Sequence, residues 1–290
     1  MMKRRDMLGL VAAAGASASH APSHGDSTAT VPPKTGIVDT NINLFHWPFR
    51  RLPLDETRSL VTKLRSLGIT CAWAGSFEAL LHRDISAVND RLVAECDRFD
   101  VLTPVGSVNL SLPDWEEDLM RCLDVHGMKM IRVHPNYHGY QLDDTRFDSL
   151  LTQIAAAGCV VQLAVAMEDT RTQHERIQVA DVDLTPLPDI MSRHRSARVQ
   201  LLNYRPRGPL LEELKGVHGL YFDTARVEGT DGVPSLAGLV TSDRVLLGTH
   251  APFLIPEAAL IRVHESNRLD SEALKRIYCT NAGRLASGQA

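Results

Sequence analysis

The regular alternation of short β-like runs with helical patterns along residues 36–290 is the strongest constraint on the fold. Strands are predicted at Ile37–Asn43, Ile69–Gly75, Leu102–Asn109, Met128–His134, Val160–Val165, Arg198–Asn203, Leu220–Asp223 and Val245–Gly248. Helices, from apolar residues three and four apart, are predicted at Arg58–Leu67, Val88–Phe99, Trp115–Val125 and Arg146–Ala157, with weaker ones at Leu210–Lys215, Leu236–Val240 and Ser271–Cys279. Eight β/α units in about 250 residues predict a (β/α)8 TIM barrel. An open doubly wound sheet is the alternative, which the lack of a glycine-rich phosphate loop after the first strand disfavours.

The N-terminus is predicted to be separate from this barrel. Basic residues at positions 3–5 precede a short apolar run, Gly9–Ala18, that ends in Ala16-Ser17-Ala18. This pattern is typical of an export signal of the twin-arginine type over residues 1–18. Residues 19–35 are then a flexible leader and residues 36–290 the barrel domain, so the expected location is periplasmic or extracellular. A disordered N-terminus is the alternative.

Composition limits the classes of partner. The 290 residues carry a formal charge of −4, which gives no bulk attraction to nucleic acid or anionic lipid. No apolar run reaches the roughly 20 residues that a membrane span needs. The five cysteines contain no CxxC pair, which argues against a zinc ribbon or a dense disulfide scaffold. The expected partner is a small-molecule substrate, and a homo-oligomer remains open.

The predicted carboxyl ends of the strands are unusually polar. Period-two alternation, with the residues at the strand tips facing the axis, predicts inward side chains at Asp39, Asn41, Asn43, Ser107, Asn109, Arg132, His134, Gln162, Ala164, Asn203 and His250. The active site of such a barrel lies at this end, so a small-molecule pocket is expected there. The alternative is a structural hydrogen-bond network, including a buried Asp39–Arg132 pair.

Four segments, taken in order, resemble the amidohydrolase-related branch of the amidohydrolase superfamily, which includes decarboxylases and lactone hydrolases. They are Ile37–Asn43, which is similar to the family's Asp-x-His-x-His strand, Met130–Tyr137, Leu247–Pro252, which is similar to Gly-Ser-Asp-x-Pro, and Ile277–Leu285. The resemblance covers nearly all of residues 36–286 and implies the barrel fold.

The same resemblance implies that the usual metal ligands are replaced. The family binds zinc through two strand-one histidines, histidines on strands five and six, and the strand-eight aspartate. Those positions here hold Asn41, Asn43, Ala164, Asn203 and His250. Amide side chains are poor zinc ligands and alanine is none. The expectation is a site without the family zinc or another cofactor; a rearranged metal site of His134, His138 and His250 is the alternative.

The leading hypothesis is therefore a metal-free hydrolase, or related lyase, of a small carboxylate-bearing molecule. His250, in the aspartate's position, is expected to be the general acid/base, assisted by His134. Predicted substrate-binding residues are Asn41, Asn43, Asn109, Arg132, Asn136, Tyr137 and Asn203; among them the asparagines on strands one and six would stabilise an oxyanion and Arg132 would hold a carboxylate. The rival hypothesis is a catalytically inactive barrel that binds a ligand or a partner.

Three further segments are lower-ranking candidates for the mouth of the barrel. The segment His46–Arg50 follows strand one and is a candidate apolar wall. His138 and Tyr140, in a predicted loop, are candidate lining residues. Met167–Pro188 is predicted to be a long polar loop or a partly helical insertion, with Glu168 and Asp169 either closing over the site or lying in solvent.

Overall fold

Parallel strands form most of the framework in the computed structural model, which describes residues 36–289. The strands are β1 Ile37–Leu44, β2 Ile69–Ser76, β3 Leu102–Pro104, β4 Gly106–Ser107, β5 Met130–Val133, β6 Val160–Ala164, β7 Val199–Leu202, β8 Leu220–Asp223 and β9 Val245–Leu246. The predicted third strand is divided into β3 and β4, and the division follows Pro104, which has no N–H to donate to a ladder. The remaining predicted strands are confirmed within a few residues.

The strands close into the predicted barrel. Strands β1 to β3 form one ladder and β4 to β9 form a second, each in sequence order. The Val105 amide donates to the Ala74 carbonyl at 2.9 Å and joins the two ladders. At the other seam, the Thr40 amide donates to the Leu247 carbonyl at 2.8 Å, and the Asn43 amide donates to the Ala251 carbonyl at 2.9 Å. The (β/α)8 prediction is therefore confirmed, and the open sheet is excluded.

Helices surround this barrel. They are α1 Thr57–Ser66, α2 Ile85–Cys96, α3 Trp115–Met120, α4 Pro135–His138, α5 Thr145–Ala156, α6 Leu187–Arg193, α7 Pro209–Leu214, α8 Gly232–Val240, α9 Pro256–His264, α10 Ser271–Lys275 and α11 Asn281–Ser287. Short 3₁₀ turns occupy Phe77–Leu80 and Ser242–Arg244, and π turns occupy Arg121–Val125 and Arg276–Thr280. The apolar stripes of α1, α2 and α5 pack on the outward strand residues, as Leu64, Leu92 and Leu150 illustrate. This packing forms the main core.

The amino-terminal end of the barrel interior is apolar. Trp73, Val105, Met130, Val160, Tyr221 and Leu246 pack together there, and Ala282 and Leu285 of α11 join the same cluster. The C-terminal helix thus covers this end of the interior, and the buried polar side chains described below lie towards the opposite end.

The predicted facing of strand β1 is wrong in its first half. Val38 packs on the interior cluster, and the Thr40 hydroxyl accepts a hydrogen bond from the inward Gln200 side chain at 2.7 Å. The pairing with β2 shifts register between Asp39 and Ile42. An extra residue in a strand breaks strict alternation, so Thr40, Asn41 and Asn43 all reach the interior side.

A second correction concerns the predicted loop at 136–140. Pro135–His138 is a helical turn, with proline in its first turn and Gly139 in the left-handed conformation, at a φ of 72°, after its end. The predicted signal and leader, residues 1–18 and 19–35, lie outside the described residues. Among the residues described, no helix is long and apolar enough to cross a membrane.

Candidate active site

The centre of the barrel holds Arg132, which is almost completely buried. Its Nε and Nη2 donate to Gln162 Oε1 at 3.0 and 2.8 Å. Its Nη1 donates to the Ile42 carbonyl at 3.0 Å and to Asn43 Oδ1 at 2.8 Å. A Cβ on Gly75 would lie 2.5 Å from Nη1, so glycine is required on β2 beside this guanidinium. The donors of Arg132 are therefore committed to the barrel itself.

Two glutamines extend this network across the barrel. Gln162 Nε2 donates to the Thr40 carbonyl at 2.8 Å and to Gln200 Oε1 at 2.9 Å. Thr40 Oγ1 in turn donates to the Leu247 carbonyl at 2.8 Å. We call Thr40, Arg132, Gln162 and Gln200 the paired layer, because each side chain in it has its hydrogen-bond partners. Burial lowers the pKa of Arg132 to about 9, against the opposing effect of Asp223 and Asp39, so the guanidinium is a cation at neutral pH.

Asp39 does not form the predicted pair with Arg132. Its Oδ2 accepts from the Thr249 hydroxyl at 2.6 Å, and its Oδ1 accepts from the backbone amides of Thr249 and Asn41 at 3.0 and 3.1 Å. Asp39 therefore clamps β1 to the segment that follows β9. Burial raises the pKa of this carboxyl to about 6, although the bonds from Thr249 and Asn41 act to lower it.

Asn41, Asn203 and Asp223 form a second cluster beside the paired layer. Asn41 Nδ2 donates to Asn203 Oδ1 at 2.9 Å and to Asp223 Oδ2 at 2.7 Å. Asp223 Oδ1 accepts from the Asn203 amide at 3.0 Å, and burial raises the pKa of Asp223 to about 7. In the described chain Asn41 Oδ1 has no partner. A Cβ on Gly248 would lie 2.8 Å from Asp223 Oδ2, which explains this glycine.

His134 and His138 lie one helical turn apart, with ring centroids 5.7 Å from each other. Both ring nitrogens of the fully buried His134 lack partners within residues 36–289, and so does Nδ1 of His138. His138 Nε2 lies 2.9 Å from the Ala79 carbonyl. Burial lowers the pKa of His134 well below its ordinary value and that of His138 to about 4, so both rings are neutral at neutral pH. Two neutral rings therefore present unused polar atoms.

His250 occupies a constrained position after β9. Its backbone is left-handed, with a φ of 55°, and its ring stacks on Phe253 at a centroid distance of 5.1 Å. Its Nε2 lies 2.8 Å from the Met167 carbonyl. Since a carbonyl only accepts, Nε2 carries the proton and Nδ1 carries the lone pair. Nδ1 has no partner in the described chain, and burial lowers the pKa of His250 to about 3.

An aromatic cluster covers these polar groups. Trp47 is at its centre and meets the rings of Phe49, Phe77, Tyr137 and Phe253 edge-on, at centroid distances of 5.1 to 6.2 Å. Leu52, Leu80, Ala164 and Met167 pack in the same cluster. The segment after β1 thus forms an apolar wall, as its sequence predicts. The buried Trp47 Nε1 has no partner among the described residues.

The long segment between β6 and α6 lies over the same end. Its Glu168 is buried and pairs with Arg50 from the segment after β1. Asn136 Nδ2 donates to the Ala180 carbonyl at 2.9 Å, and so holds the far part of the segment. Glu168 is therefore not a solvated loop residue.

The predicted site residues separate into three groups. Six of them converge on the mouth: Asn41, Asn43, Arg132, His134, Asn203 and His250. Two others, Asn136 and Tyr137, hold the cover of the mouth. The ninth, Asn109, lies apart, because its side chain accepts a hydrogen bond from the Ser111 amide at 3.0 Å in a local turn. Sequence reasoning missed Asp223 and Thr249. Asp223 ends a predicted strand, so the facing of that strand was the available signal.

A family model described as Amidohydrolase matches residues 47–285. The chain belongs to this amidohydrolase family. The match begins after β1, so it does not include Asn41 and Asn43. No curated protein matches the chain.

Solved structures of this fold resemble the chain over most of its length. A 2,6-dihydroxybenzoate decarboxylase from Rhizobium matches with a TM-score of 0.66 and 14% identity, over 88% of this chain and 99% of the other. A 5-carboxyvanillate decarboxylase from Sphingomonas paucimobilis matches with a TM-score of 0.68 and 11% identity, over 87% and 99%. A dihydroxybenzoic acid decarboxylase from Polaromonas, with bound manganese and the inhibitor 2-nitroresorcinol, matches with a TM-score of 0.67 and 13% identity, over 87% and 97%. At these identities the likeness concerns the fold.

The Polaromonas structure holds manganese, and two contacts at the mouth of this chain distinguish it from an open set of metal ligands. Asn41 donates to Asp223, so that carboxylate already has a hydrogen-bond partner, and the buried Arg132 guanidinium opposes a second cation. Within residues 36–289, the one group of three His, Cys, Asp or Glu side chains close enough to share an ion is His46, Asp55 and Glu56. Arg51 already forms a two-pronged pair with Asp55 in that group.

Proposed function

We propose that the chain is an amidohydrolase-family enzyme that acts on a small carboxylate-bearing molecule without a metal. The observation that carries this proposal is the set of buried polar atoms without partners at the mouth, notably Asn41 Oδ1, Asn43 Nδ2, His250 Nδ1 and both ring nitrogens of His134. Native proteins seldom leave such atoms unsatisfied. Their concentration at the carboxyl ends of the strands, beneath an aromatic cover, supports a ligand site there.

The tautomer of His250 supports a role as general base. Its Nε2–H is held by the Met167 carbonyl, so the Nδ1 lone pair is oriented by the protein and free to accept a proton. The low pKa of His250 reflects burial. A bound anion would favour the protonated ring and raise that pKa. His134, neutral and unpaired, is the second group available for proton transfer or for a hydrogen bond to the substrate.

The absence of a metal is part of the proposal. Three of the five positions that resemble family ligands hold asparagine, and two of these, Asn41 and Asn203, bond to each other. Arg132 supplies a fixed positive charge to the same end of the barrel. The Asn43 amide, whose Nδ2 has no partner among the described residues, and this charge would take over part of the stabilisation of a developing oxyanion.

A catalytically inactive ligand-binding barrel is the second candidate. One observation favours it: His134 and His250 are fully buried, and His250 contacts Met167 and Phe253 of the aromatic cluster. An enzyme would therefore have to open this cover in every turnover, to admit substrate and release product. A protein that only binds a ligand would open it once for each binding event.

Comparing His250→Gln with the native protein separates these readings. Both would be screened with hydroxybenzoates and small lactones by thermal shift and by mass-spectrometric detection of product. We expect ligands that stabilise both proteins, with turnover at least about 100-fold lower in the variant, since general base catalysis contributes about that much. His126→Gln, which changes a histidine paired with Asp90 outside the site, is the matched control. Turnover in His250→Gln equal to that of the native protein would show that His250 is not the general base. Ligands that stabilise the protein but are not turned over would favour the inactive barrel.

A further inference from the structure

A second arginine lies at the carboxyl end of the barrel, and its surroundings differ from those of Arg132. Arg226 follows β8, three residues after Asp223, and is only 4% exposed. Within residues 36–289, its Nη1 has no hydrogen-bond partner. In that part of the chain, the mouth carboxylates Glu168 and Asp169 pair with other arginines and not with Arg226. Arg226 is thus a buried cation that no carboxylate of residues 36–289 contacts in an ion pair.

Arg205 follows β7, the strand that pairs with β8, so it lies at the same end of the barrel as Arg226, and its positive charge acts on Arg226. Its Nη2 donates to Asp169 Oδ2 at 2.6 Å, while its buried Nε has no partner among the described residues. Asp169 also accepts two bonds from the Arg171 guanidinium, at 3.0 and 2.8 Å. One carboxylate is therefore shared by two bonded guanidinium groups, and Arg226 feels it only at longer range. Asp181 and Glu228 also act on Arg226 at longer range, and neither forms an ion pair with it among the described residues.

The backbone on both sides of Arg226 is held in place. Arg262 donates to the Ala225 carbonyl at 3.3 Å and to the Val227 carbonyl at 3.2 Å, and the Val227 amide donates to the Thr224 carbonyl at 3.2 Å. These bonds hold the backbone on either side of Arg226. Arg226 follows β8 and His250 follows β9, and these two strands are paired neighbours, so both residues lie at the same end of adjacent strands; the positive charge of Arg226 also acts on the ring of His250.

We infer that Arg226 and Arg205 form an oxyanion-binding subsite next to His250. Resting on the proposed function, the oxyanion is the carboxylate of the substrate. A buried guanidinium without a partner is strongly unfavourable, and two N–H donors aimed at one anion relieve that cost. This assignment takes over the role that sequence reasoning gave to Arg132, because the donors of Arg132 are already occupied.

The test compares native protein with Arg226→Met, using matched probes. Benzoate, the neutral isostere benzamide and inorganic phosphate would be titrated in a thermal-shift assay, with direct binding measured by calorimetry. Benzoate at about 100 times its Kd is expected to raise the Tm of the native protein by about 5 °C or more, as mass action predicts. Benzamide is expected to leave the Tm nearly unchanged, and Arg226→Met to lose most of the benzoate shift. Arg226→Lys, which retains the positive charge, is expected to keep part of the benzoate-induced rise in Tm.

The ligand-free proteins give an independent readout. Since Arg226→Met removes a buried charge that has no bonded partner among the described residues, it is expected to raise the Tm by about 2 °C or more without ligand. The matched control is Arg65→Met, which removes an exposed arginine paired with Asp100 at the opposite end of the barrel. A clear fall in the ligand-free Tm of Arg226→Met, beyond that of the control, would make Arg226 a structural residue and overturn the inference.

The benzoate, benzamide and phosphate titrations also distinguish failure of the subsite from failure of the proposed function. If phosphate raises the Tm in a way that depends on Arg226 and benzoate does not, the oxyanion subsite is supported and the proposal of a carboxylate substrate is wrong. An Arg226-dependent benzoate shift in a protein without turnover supports the subsite in an inactive barrel. Equal shifts with benzoate and benzamide, or no response to either anion, overturn the subsite whether or not turnover is found.

Discussion

The paired layer and the groups directly around it use the same residue types with opposite results. In the paired layer, Arg132, Gln162 and Gln200 satisfy one another and the backbone of β1. Towards the carboxyl ends of the strands, polar atoms of Asn41, His134 and His250 have no partner among the described residues. We call these three residues the unpaired layer. Both layers are buried, so burial alone does not mark function; the unfilled hydrogen-bond capacity does.

In the proposed function, the paired layer contributes to stability and the unpaired layer binds the ligand. A satisfied buried network holds the strands in register, whereas unsatisfied buried groups cost free energy until a ligand or water meets them. The same contrast separates Arg132 from Arg226. The Arg132 guanidinium has hydrogen-bond acceptors within the barrel and is part of the scaffold. The Arg226 guanidinium has an unused N–H donor and can bind an anion.

The largest expected effect comes from breaking the paired layer. Arg132→Met removes the donor to Asn43 Oδ1, the Ile42 carbonyl and Gln162 Oε1, and leaves three buried acceptors. We expect the free energy of unfolding, measured by urea denaturation, to fall by about 3–5 kcal/mol. His134→Leu in the unpaired layer is the comparison and should change it by less than about 1 kcal/mol, because no bond is lost. Equal losses in the two variants would abolish the distinction between the layers.

A smaller effect concerns the pH dependence of stability. The pKa of Asp223 is raised by burial to about 7, so the folded chain binds this proton more tightly than the unfolded chain does. The contribution of Asp223 is then fully present below its unfolded pKa, near pH 4, and is lost as the pH rises towards 7, at up to about 1.4 kcal/mol per pH unit. The buried histidines have lowered pKa values and act in the opposite direction.

Asp223→Asn isolates this contribution, since the histidines are unchanged in it. The free energy of unfolding of the native protein, minus that of the variant, should fall between pH 5 and pH 7. A difference that stays constant over this range would show that the Asp223 carboxyl titrates normally.

Much of the fold was accessible from the sequence because the alternation of strands and helices repeats along the whole barrel. The site was less accessible, for physical reasons that particular residues show. The register shift between Asp39 and Ile42 turns Thr40 inward, which strict alternation does not anticipate. The partner of Asp39 is Thr249, 210 residues away, and such pairing depends on barrel closure. Arg132 and Arg226 look alike in sequence and differ only in the acceptors around them.

The central claim is that this barrel mouth works through its own amides, histidines and arginines without a metal. Its most direct test is elemental analysis of the protein purified from cells supplied with manganese and zinc. His46→Gln serves as control, because it disrupts the group of His46, Asp55 and Glu56 outside the mouth. We predict metal well below one equivalent, with any residual metal lost in His46→Gln. One equivalent of metal that persists in His46→Gln and is lost in His250→Gln would contradict the account.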